Sequence, residues 1–382
     1  MVRRLFGCLL AAALAWMPCA QADVQVRDVP MEIGENGVSY PQLEGMADEN
    51  IQKAINDDIV LSGSVTAHIL TLSTLGQSAW GLRVTYTSHL DAAVFSVAIS
   101  AKGKQPGGRD GHSYAAMTYD LATGRRATLE QVFTDPEQAV AFMEETAEST
   151  LGPELSDYME QNQLAPLPKD SFCLDGDGIT FYYPAEQFSY ISGYAGSCQF
   201  TYEELTDFLR TDADALPARM GVLPKENKPE EQGVLIRTDA SAGQLPHVPV
   251  TLGQPMPQVV AAYRLVRTPD AFPGGRYFVL EDAAFRGVLL ISDNMETGYE
   301  RSVVKGIQAK RGGLHGLLIG KANREDVLAV LGQPDETIVF TEGMAYDYNL
   351  PVGQSDVYRC GTYELRLHTD ENGTLRCVQL GM

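Results

Sequence analysis

Thr128-Leu129-Glu130-Gln131-Val132-Phe133 opens the stretch that decides the fold, and Phe200-Thr201-Tyr202-Glu203-Glu204-Leu205 closes it. Between them, Thr134-Asp135-Pro136-Glu137 is a helix start. Asp135 can accept the free N–H groups, and Pro136 sits where its missing donor costs nothing. The helix runs to about Leu151, and Gly152-Pro153 breaks it before a second acidic piece, Glu154 to Gln161. Phe172-Cys173-Leu174 and Ile179 to Tyr183 then flank Asp175-Gly176-Asp177-Gly178, a hairpin with turn chemistry at its tip. Its two aspartates lack the further ligands and distal Glu of an EF-hand, so this is a turn and not a calcium loop. The bend Tyr190-Ile191-Ser192-Gly193 follows. Acidic helices beside an antiparallel strand cluster predict an α+β fold.

Upstream, Ile51, Ile55 and Ile59 recur at helical spacing behind Asp48, a capping residue, and predict an amphipathic helix over Asp48 to Leu61. β-rich runs follow at Val65 to Ser73, Ala79 to Leu90, Val94 to Ser100 and His112 to Asp120, separated by turn clusters such as Lys104-Gln105-Pro106-Gly107-Gly108. Residues 23–39 read as an N-terminal entry strand or tether, and 40–210 as an antiparallel sheet domain with helices. Downstream, 211–248 reads as a proline-bearing linker around Lys225-Glu226-Asn227-Lys228-Pro229-Glu230-Glu231, with one strand at Val234 to Arg237.

Beyond the linker lies an internal duplication of a helix-plus-antiparallel-sheet unit, at 249–313 and 314–382. In the second copy Asn323 caps a short helix, Arg324 to Leu331, stopped by Gly332-Gln333-Pro334. Strands are expected at Thr337 to Phe340, Ala345 to Tyr348, Tyr363 to His368 and Thr374 to Leu380. The first copy has a helix at Pro257 to Leu265 and strands at Tyr277 to Glu281, Phe285 to Ile291 and Val303 to Gln308.

The order of elements over 40–210, carried by the opening and closing hexapeptides and by Tyr190 and Gly193 at the bend, resembles an extracytoplasmic domain of unknown function. That domain occurs in lysozyme-sensing anti-sigma factors and in a peptidoglycan deacetylase of Gram-positive bacteria. Ser189 stands where the pattern would place proline. The resemblance implies a lysozyme-type partner; the deacetylase's Thr-Phe-Asp-Asp-Gly-Pro stretch has no counterpart here. Gly320, Val327, Leu331, Gly332 and Pro334, with Leu365, Leu367, Gly373 and Leu375, resemble the helix-then-sheet modules of small outer-membrane assembly lipoproteins and of β-lactamase-inhibitor protein, which bind proteins.

Residues 1–22 have the pattern of a secretory signal: Arg3 and Arg4, the apolar run Leu5 to Met17, and Ala20-Gln21-Ala22 before Asp23. A periplasmic or secreted mature chain without a membrane span is expected, because the apolar run is about half of the ~20 residues that a span needs. Four cysteines then remain: Cys173, Cys198, Cys360 and Cys377. An even number outside the cytoplasm favours disulfides in one of three connectivities, with the local pairs Cys173–Cys198 and Cys360–Cys377 preferred. Close Cys or His spacing for zinc is lacking.

The chain has 29 basic and 50 acidic residues, a net charge of −21. From Ala127 to Arg210, 16 acidic residues face only Lys169 and Arg210, leaving −14, whereas Pro249 to Met382 has 16 acidic against 13 basic residues. Such a field repels nucleic acid and anionic lipid and attracts cationic partners. The six histidines form no H-E-x-x-H pattern, and there is no Gly-x-Ser-x-Gly elbow or Walker loop. Arg311-Gly312-Gly313-Leu314-His315-Gly316 reads as a connecting turn. No catalytic residue, metal or cofactor is assigned, and paired carboxylates mean little in so acidic a chain. The expectation is a non-catalytic envelope-binding protein for a cationic, lysozyme-type partner. The alternative is a protein that binds or modifies peptidoglycan or another carbohydrate. The candidate contact residues are Tyr182, Glu186, Tyr190, Tyr194 and Tyr202, from an aromatic cluster of which about half should face inward.

Overall fold

Two nine-residue strands, β1 (Gln25–Ile33) and β2 (Asn36–Glu44), form a hairpin at the start of the computed structural model. Residues 24–75, 81–104, 110–150, 166–183, 196–225, 227–263, 265–272, 275–280, 288–292, 302–348 and 350–382 are described. The signal segment, the acidic piece 154–161 and the bend 190–193 lie outside them.

Helix α1 (Glu49–Ser62) starts as its cap dictates: Asp48 Oδ1 accepts from the amides of Asn50 and Ile51 at 2.9 and 3.2 Å, and Ile55 and Ile59 are buried. Asn56 ties the helix to β2, exchanging hydrogen bonds with the Leu43 backbone at 2.8 and 2.9 Å. Val65 to Ser73, expected as a strand, belongs instead to helix α2 (Val65–Leu75). Its β-branched residues favour strands locally, but Val65 and Leu72 enter the same core as α1, and packing overrides propensity. No single helix among the described residues is long and apolar enough to cross a membrane.

Strands β3 (Arg83–Leu90), β4 (Val94–Lys104), β5 (Asp110–Asp120) and β6 (Arg125–Arg126) complete a six-stranded sheet in sequence order. All its pairings are antiparallel except the short parallel contact of β2 with β3, at Gly37–Arg83 and Val38–Val84. Asp58 locks α1 to this sheet, accepting from Tyr119 Oη and Arg126 Nε, both at 2.8 Å.

After a single 3₁₀ turn, Leu129–Gln131, helix α3 (Pro136–Thr150) runs as expected, and Asp135 Oδ1 accepts from Gln138 N at 3.1 Å. Strands β7 (Phe172–Leu174), β8 (Gly178–Tyr182) and β9 (Ser197–Thr201) form a second antiparallel sheet. At its first turn, Asp175 Oδ1 accepts from the amides of Asp177 and Gly178 at 2.8 and 2.9 Å. A buried polar seam joins the two sheets. Ser96 Oγ and Thr118 Oγ1 are 2.9 Å apart, Thr118 Oγ1 donates to Phe172 O at 3.0 Å, and Leu174 N donates to Ser96 Oγ at 3.0 Å.

The stretch read as a linker folds in part. Helix α4 (Leu216–Met220) buries Leu216 in the core of the second sheet. In place of a strand at Val234 to Arg237 there is helix α5 (Pro229–Ser241), begun by Pro229 at its first turn, with Ile236 and Ala240 in the C-terminal core. Gly233 permits this packing, because a Cβ there would stand 2.3 Å from Val330 O. Arg237 donates to Leu331 O at 2.8 Å, supplying a carbonyl at a helix end with a cationic partner.

The strands between residues 265 and 381 form one eight-stranded antiparallel sheet. Helix α6 (Met256–Ala262) precedes β10 (Leu265–Phe272), β11 (Gly275–Leu280), β12 (Val288–Ser292) and β13 (Val304–Ala309). A small hairpin, β14 (Gly313–Leu314) and β15 (Leu317–Leu318), leads to α7 (Arg324–Leu331), β16 (Glu336–Phe340), α8 (Glu342–Tyr348), β17 (Gly353–Cys360), β18 (Tyr363–Asp370) and β19 (Leu375–Gly381). In the order β10-β11-β12-β13-β19-β18-β17-β16, β13 pairs antiparallel with β19 at the centre of the sheet, Ile307 opposite Leu380. Asn323 caps α7 as expected. Ala345 to Tyr348 is helical within α8, not a strand, and the missing strand is β17, whose Ser355 to Tyr358 are all buried.

Neither expected disulfide forms: Cys173, Cys198, Cys360 and Cys377 are thiols. Register explains why. Cys173 lies in the row Cys173–Thr180–Gln199 and Cys198 in the neighbouring row Phe172–Phe181–Cys198, on the opposite face and with β8 between. Two inter-strand spacings, about 9–10 Å, exceed the ~7 Å limit for Cα atoms in a disulfide. Cys360 pairs with Tyr363 and Cys377 with His368, so the second pair stands about 17 Å apart along β18. Burial pushes the Cys173 and Cys360 thiols up in pKa, which removes the reactive thiolate. Alkylation without reductant is expected to be slow on the native protein and to reach all four cysteines after denaturation. Two cysteines that stay unmodified in denatured, unreduced protein would contradict the fold.

Candidate partner-binding surface

Along β8 the side chains of Ile179, Thr180 and Phe181 are buried, and the strand opens only at its end. Phe181 is fully buried, whereas Tyr182 is half-buried. The Tyr182 ring meets Tyr114 of β5 edge-on with centroids 5.0 Å apart, and Tyr114 in turn lies 4.5 Å from the His112 ring. His112 Nε2 is fixed by Ser100 Oγ at 2.9 Å. A ladder of His112, Tyr114 and Tyr182 thus runs across the junction of the two N-terminal sheets, and Tyr114 was not singled out from sequence. The alternating Ser113, Tyr114 and Ala115 gave no sign that Tyr114 would meet a second sheet.

Tyr202 is corrected as a contact residue. It is 3% exposed and shares the core with Phe172, Phe181, Tyr183 and Phe200. Strand parity puts Tyr202 on the face of Phe200, and burial pushes its hydroxyl far above the ordinary tyrosine range. Glu186, Tyr190 and Tyr194 lie outside the described residues.

Some of the acidic residues of the N-terminal body are neutralised, Asp177, Glu204 and Asp207 by cations of the C-terminal one, and others are not. Glu137 and Glu145 on α3 and Asp170 before β7 are exposed and in no ion pair among the described residues. Arg210 is committed to Asp212 through two contacts of 2.8 Å. A groove of about 370 Å³ opens at the start of α3, lined by Glu130, Phe133, Thr134, Pro136, Arg210 and Asp212. Its charged lining is mixed, because Arg210 pairs with Asp212 within it. Among the described residues, no group of three or more His, Cys, Asp or Glu could hold a metal ion.

Sequence reasoning also missed Arg311, the centre of the contact between the N-terminal and C-terminal bodies. It precedes the β14–β15 hairpin, whose turn residues His315 and Gly316 both have positive φ, 50° and 109°, the geometry of a tight two-residue hairpin. Arg311 donates through Nε to Glu204 Oε1 at 2.9 Å and through Nη2 to Gln199 O, and its guanidinium lies 4.5 Å from the Phe200 ring centre. Both charged side chains are buried, 10% and 8% exposed. Glu204 also accepts from Thr201 N at 2.8 Å. Lys321 adds a rim contact, 2.8 Å from Asp207 and over Phe142. The Arg311-Gly-Gly run is a turn, as its composition implies, but its long-range partner Glu204 leaves no local signal.

No protein-family model matches the sequence, and no curated protein is similar to it. The structural neighbours are DUF3298 and DUF4309 family proteins. A DUF3298 member from Bacteroides fragilis matches 53% of this chain and 98% of its own at 14% identity and a TM-score of 0.37. One from Pseudomonas aeruginosa matches 50% and 96% at 15% identity and a TM-score of 0.34. A DUF4309 protein from Bacillus subtilis matches 41% and 99% at 15% identity and a TM-score of 0.28. Likeness at this level assigns the chain to no family and carries no argument about its activity.

Proposed function

We propose that this chain is an exported, non-catalytic binding protein of the cell envelope that takes a cationic protein, of the lysozyme-type muramidase class, on its N-terminal half. The observation that carries the reading is the acidic excess of residues 127–210, 16 acidic side chains against Lys169 and Arg210, in the body that also holds the half-buried Tyr114–Tyr182 pair. Opposite charge speeds encounter, while aromatic anchors set the dissociation rate. Tyrosine gives rigid, amphipathic contact area at low entropy cost.

The test is a titration with lysozyme beside cytochrome c, a basic control protein. Lysozyme is expected to bind more tightly, and its affinity to fall as salt shortens the screening length from ~10 Å at 0.1 M to ~3 Å at 1 M. Tyr182→Ala and Tyr114→Ala should each weaken it by about 1 kcal/mol or more. Equal affinity for both basic proteins, indifferent to the tyrosines, would reduce the reading to nonspecific adsorption. The tyrosine pair also supports a second reading, recognition of peptidoglycan sugars by ring stacking; muropeptide binding in the absence of lysozyme binding would favour it.

A further inference from the structure

His247 lies between α5 and α6, flanked by Leu245 and Val250 of the C-terminal core, with a left-handed backbone, φ 59°. Its Nδ1 stands 3.7 Å from Oδ1 of Asp177, in the β7–β8 turn of the N-terminal body. That turn is fixed on its own side: Asp177 N bonds to Asp175, and Asp177 O accepts from Tyr202 N at 3.0 Å. The pair therefore bridges two bodies whose local backbones are each anchored. Arg311–Glu204 and Lys321–Asp207 bridge the same bodies. Of the three cations, only the imidazole changes charge between pH 5 and 8.

We infer that His247 and Asp177 form a pH-gated clasp between the two halves, closed while His247 is charged and released when it is neutral. The surroundings set the direction. Asp177 contacts the ring, and Glu203 and Glu204 face it from the segment after β9. Glu204 is shared with Arg311, and His89, itself paired with Asp91, faces Asp177 from β3. The contact with Asp177 raises the His247 pKa above its ordinary 6.5 against the effect of burial, with Glu203 and Glu204 adding to it. The contact with His247 lowers that of Asp177 below 3.8, again against burial.

A raised histidine contributes stability that is complete below its unfolded value and is lost as pH rises through the folded one. A lowered aspartate contributes above its unfolded value and loses it as pH falls through the folded one. The clasp is thus closed from about pH 4 to 6.5 and opens above, as His247 loses its proton. Two histidines, half-buried His68 and buried His368, work the other way: desolvation lowers the pKa of each, so each costs stability as pH falls below 6.5. The unfolding curve of the wild-type chain mixes these effects, and only a difference between variants isolates the clasp.

The test is a double-mutant cycle on the full chain, with His247→Asn, Asp177→Asn and the double variant melted at pH 5.5 and pH 8.5. Asparagine tolerates the left-handed backbone, so the substitution removes the charge without adding strain. At pH 5.5 each single change is expected to lower Tm by about 1–2 °C, as for a part-exposed pair in a chain of this size. The double variant should fall no further. At pH 8.5 the coupling should vanish. Coupling that is equal at both pH values, or absent at both, overturns the proposal. Should His247→Asn fail to fold, Asp177→Asn alone decides, because its effect must be present at pH 5.5 and gone at pH 8.5.

Discussion

Arg311→Ala is expected to lower the stability of the chain by about 3–5 kcal/mol, the range for breaking a buried ion pair by removing one partner. The loss exceeds that of a surface pair because Glu204 would be left charged and 8% exposed with no cation to replace Arg311. The Gln199 carbonyl and the Phe200 face would lose their contacts at the same time. Arg311→Lys should recover only part of this, since a point charge cannot reproduce the planar fork. Glu204→Gln should cost less than Arg311→Ala, because the amide oxygen still accepts from Thr201. Urea unfolding measures all three. A loss under about 1 kcal/mol for Arg311→Ala, the surface-pair range, would mean that the two bodies do not meet there.

Asp120→Asn is expected to cost about 3 kcal/mol. Asp120 is buried at the end of β5 and takes a two-pronged contact from Arg219 of α4 at 2.7 and 3.0 Å, with further bonds from Ala122 N and Gln131. It ties α4 to the N-terminal body alongside the buried Leu216. Burial alone would raise its pKa, but the Arg219 contact and these hydrogen bonds outweigh that and lower it. A lowered carboxylate contributes stability that is present above its ordinary value near 3.8 and is lost as pH falls through the folded one. The gap between wild type and variant should therefore hold from neutral pH down to about pH 4 and close below it. Denaturant midpoints across that range check the sign. A gap that widens in acid would contradict the assignment.

Local chemistry was legible where a residue satisfies its own neighbours. Asp48, Asp135 and Asn323 cap helices, Asp175 closes its turn, and Gly332 ends α7. What failed was any element fixed by distant packing. Helix α2 hid behind strand-forming residues, although Val65, His68, Ile69 and Leu72 do follow helical spacing. Strand β17 shows no alternation because both of its faces are buried, Asp356 and Tyr358 on one and Ser355 and Val357 on the other. Helix α5 looked like a mixed-charge linker because only Gly233, Ile236 and Ala240 face the core. The cysteine pairing failed for a related reason: an even number of cysteines says nothing of strand parity, which sets Cys173 and Cys198 on opposite faces. At the candidate surface, Tyr182 was legible, Tyr202 turned inward with Phe200, and Tyr114 and Arg311 needed the tertiary fold.

Hydrogen–deuterium exchange of the full chain, with and without saturating lysozyme, tests the central claim most directly because it reports where the partner sits. Protection is predicted in β5 around Tyr114, in β8 around Tyr182 and in the first turns of α3, with the eight-stranded C-terminal sheet unchanged. Protection confined to that C-terminal sheet, or no protection at a lysozyme concentration that saturates binding, would contradict it.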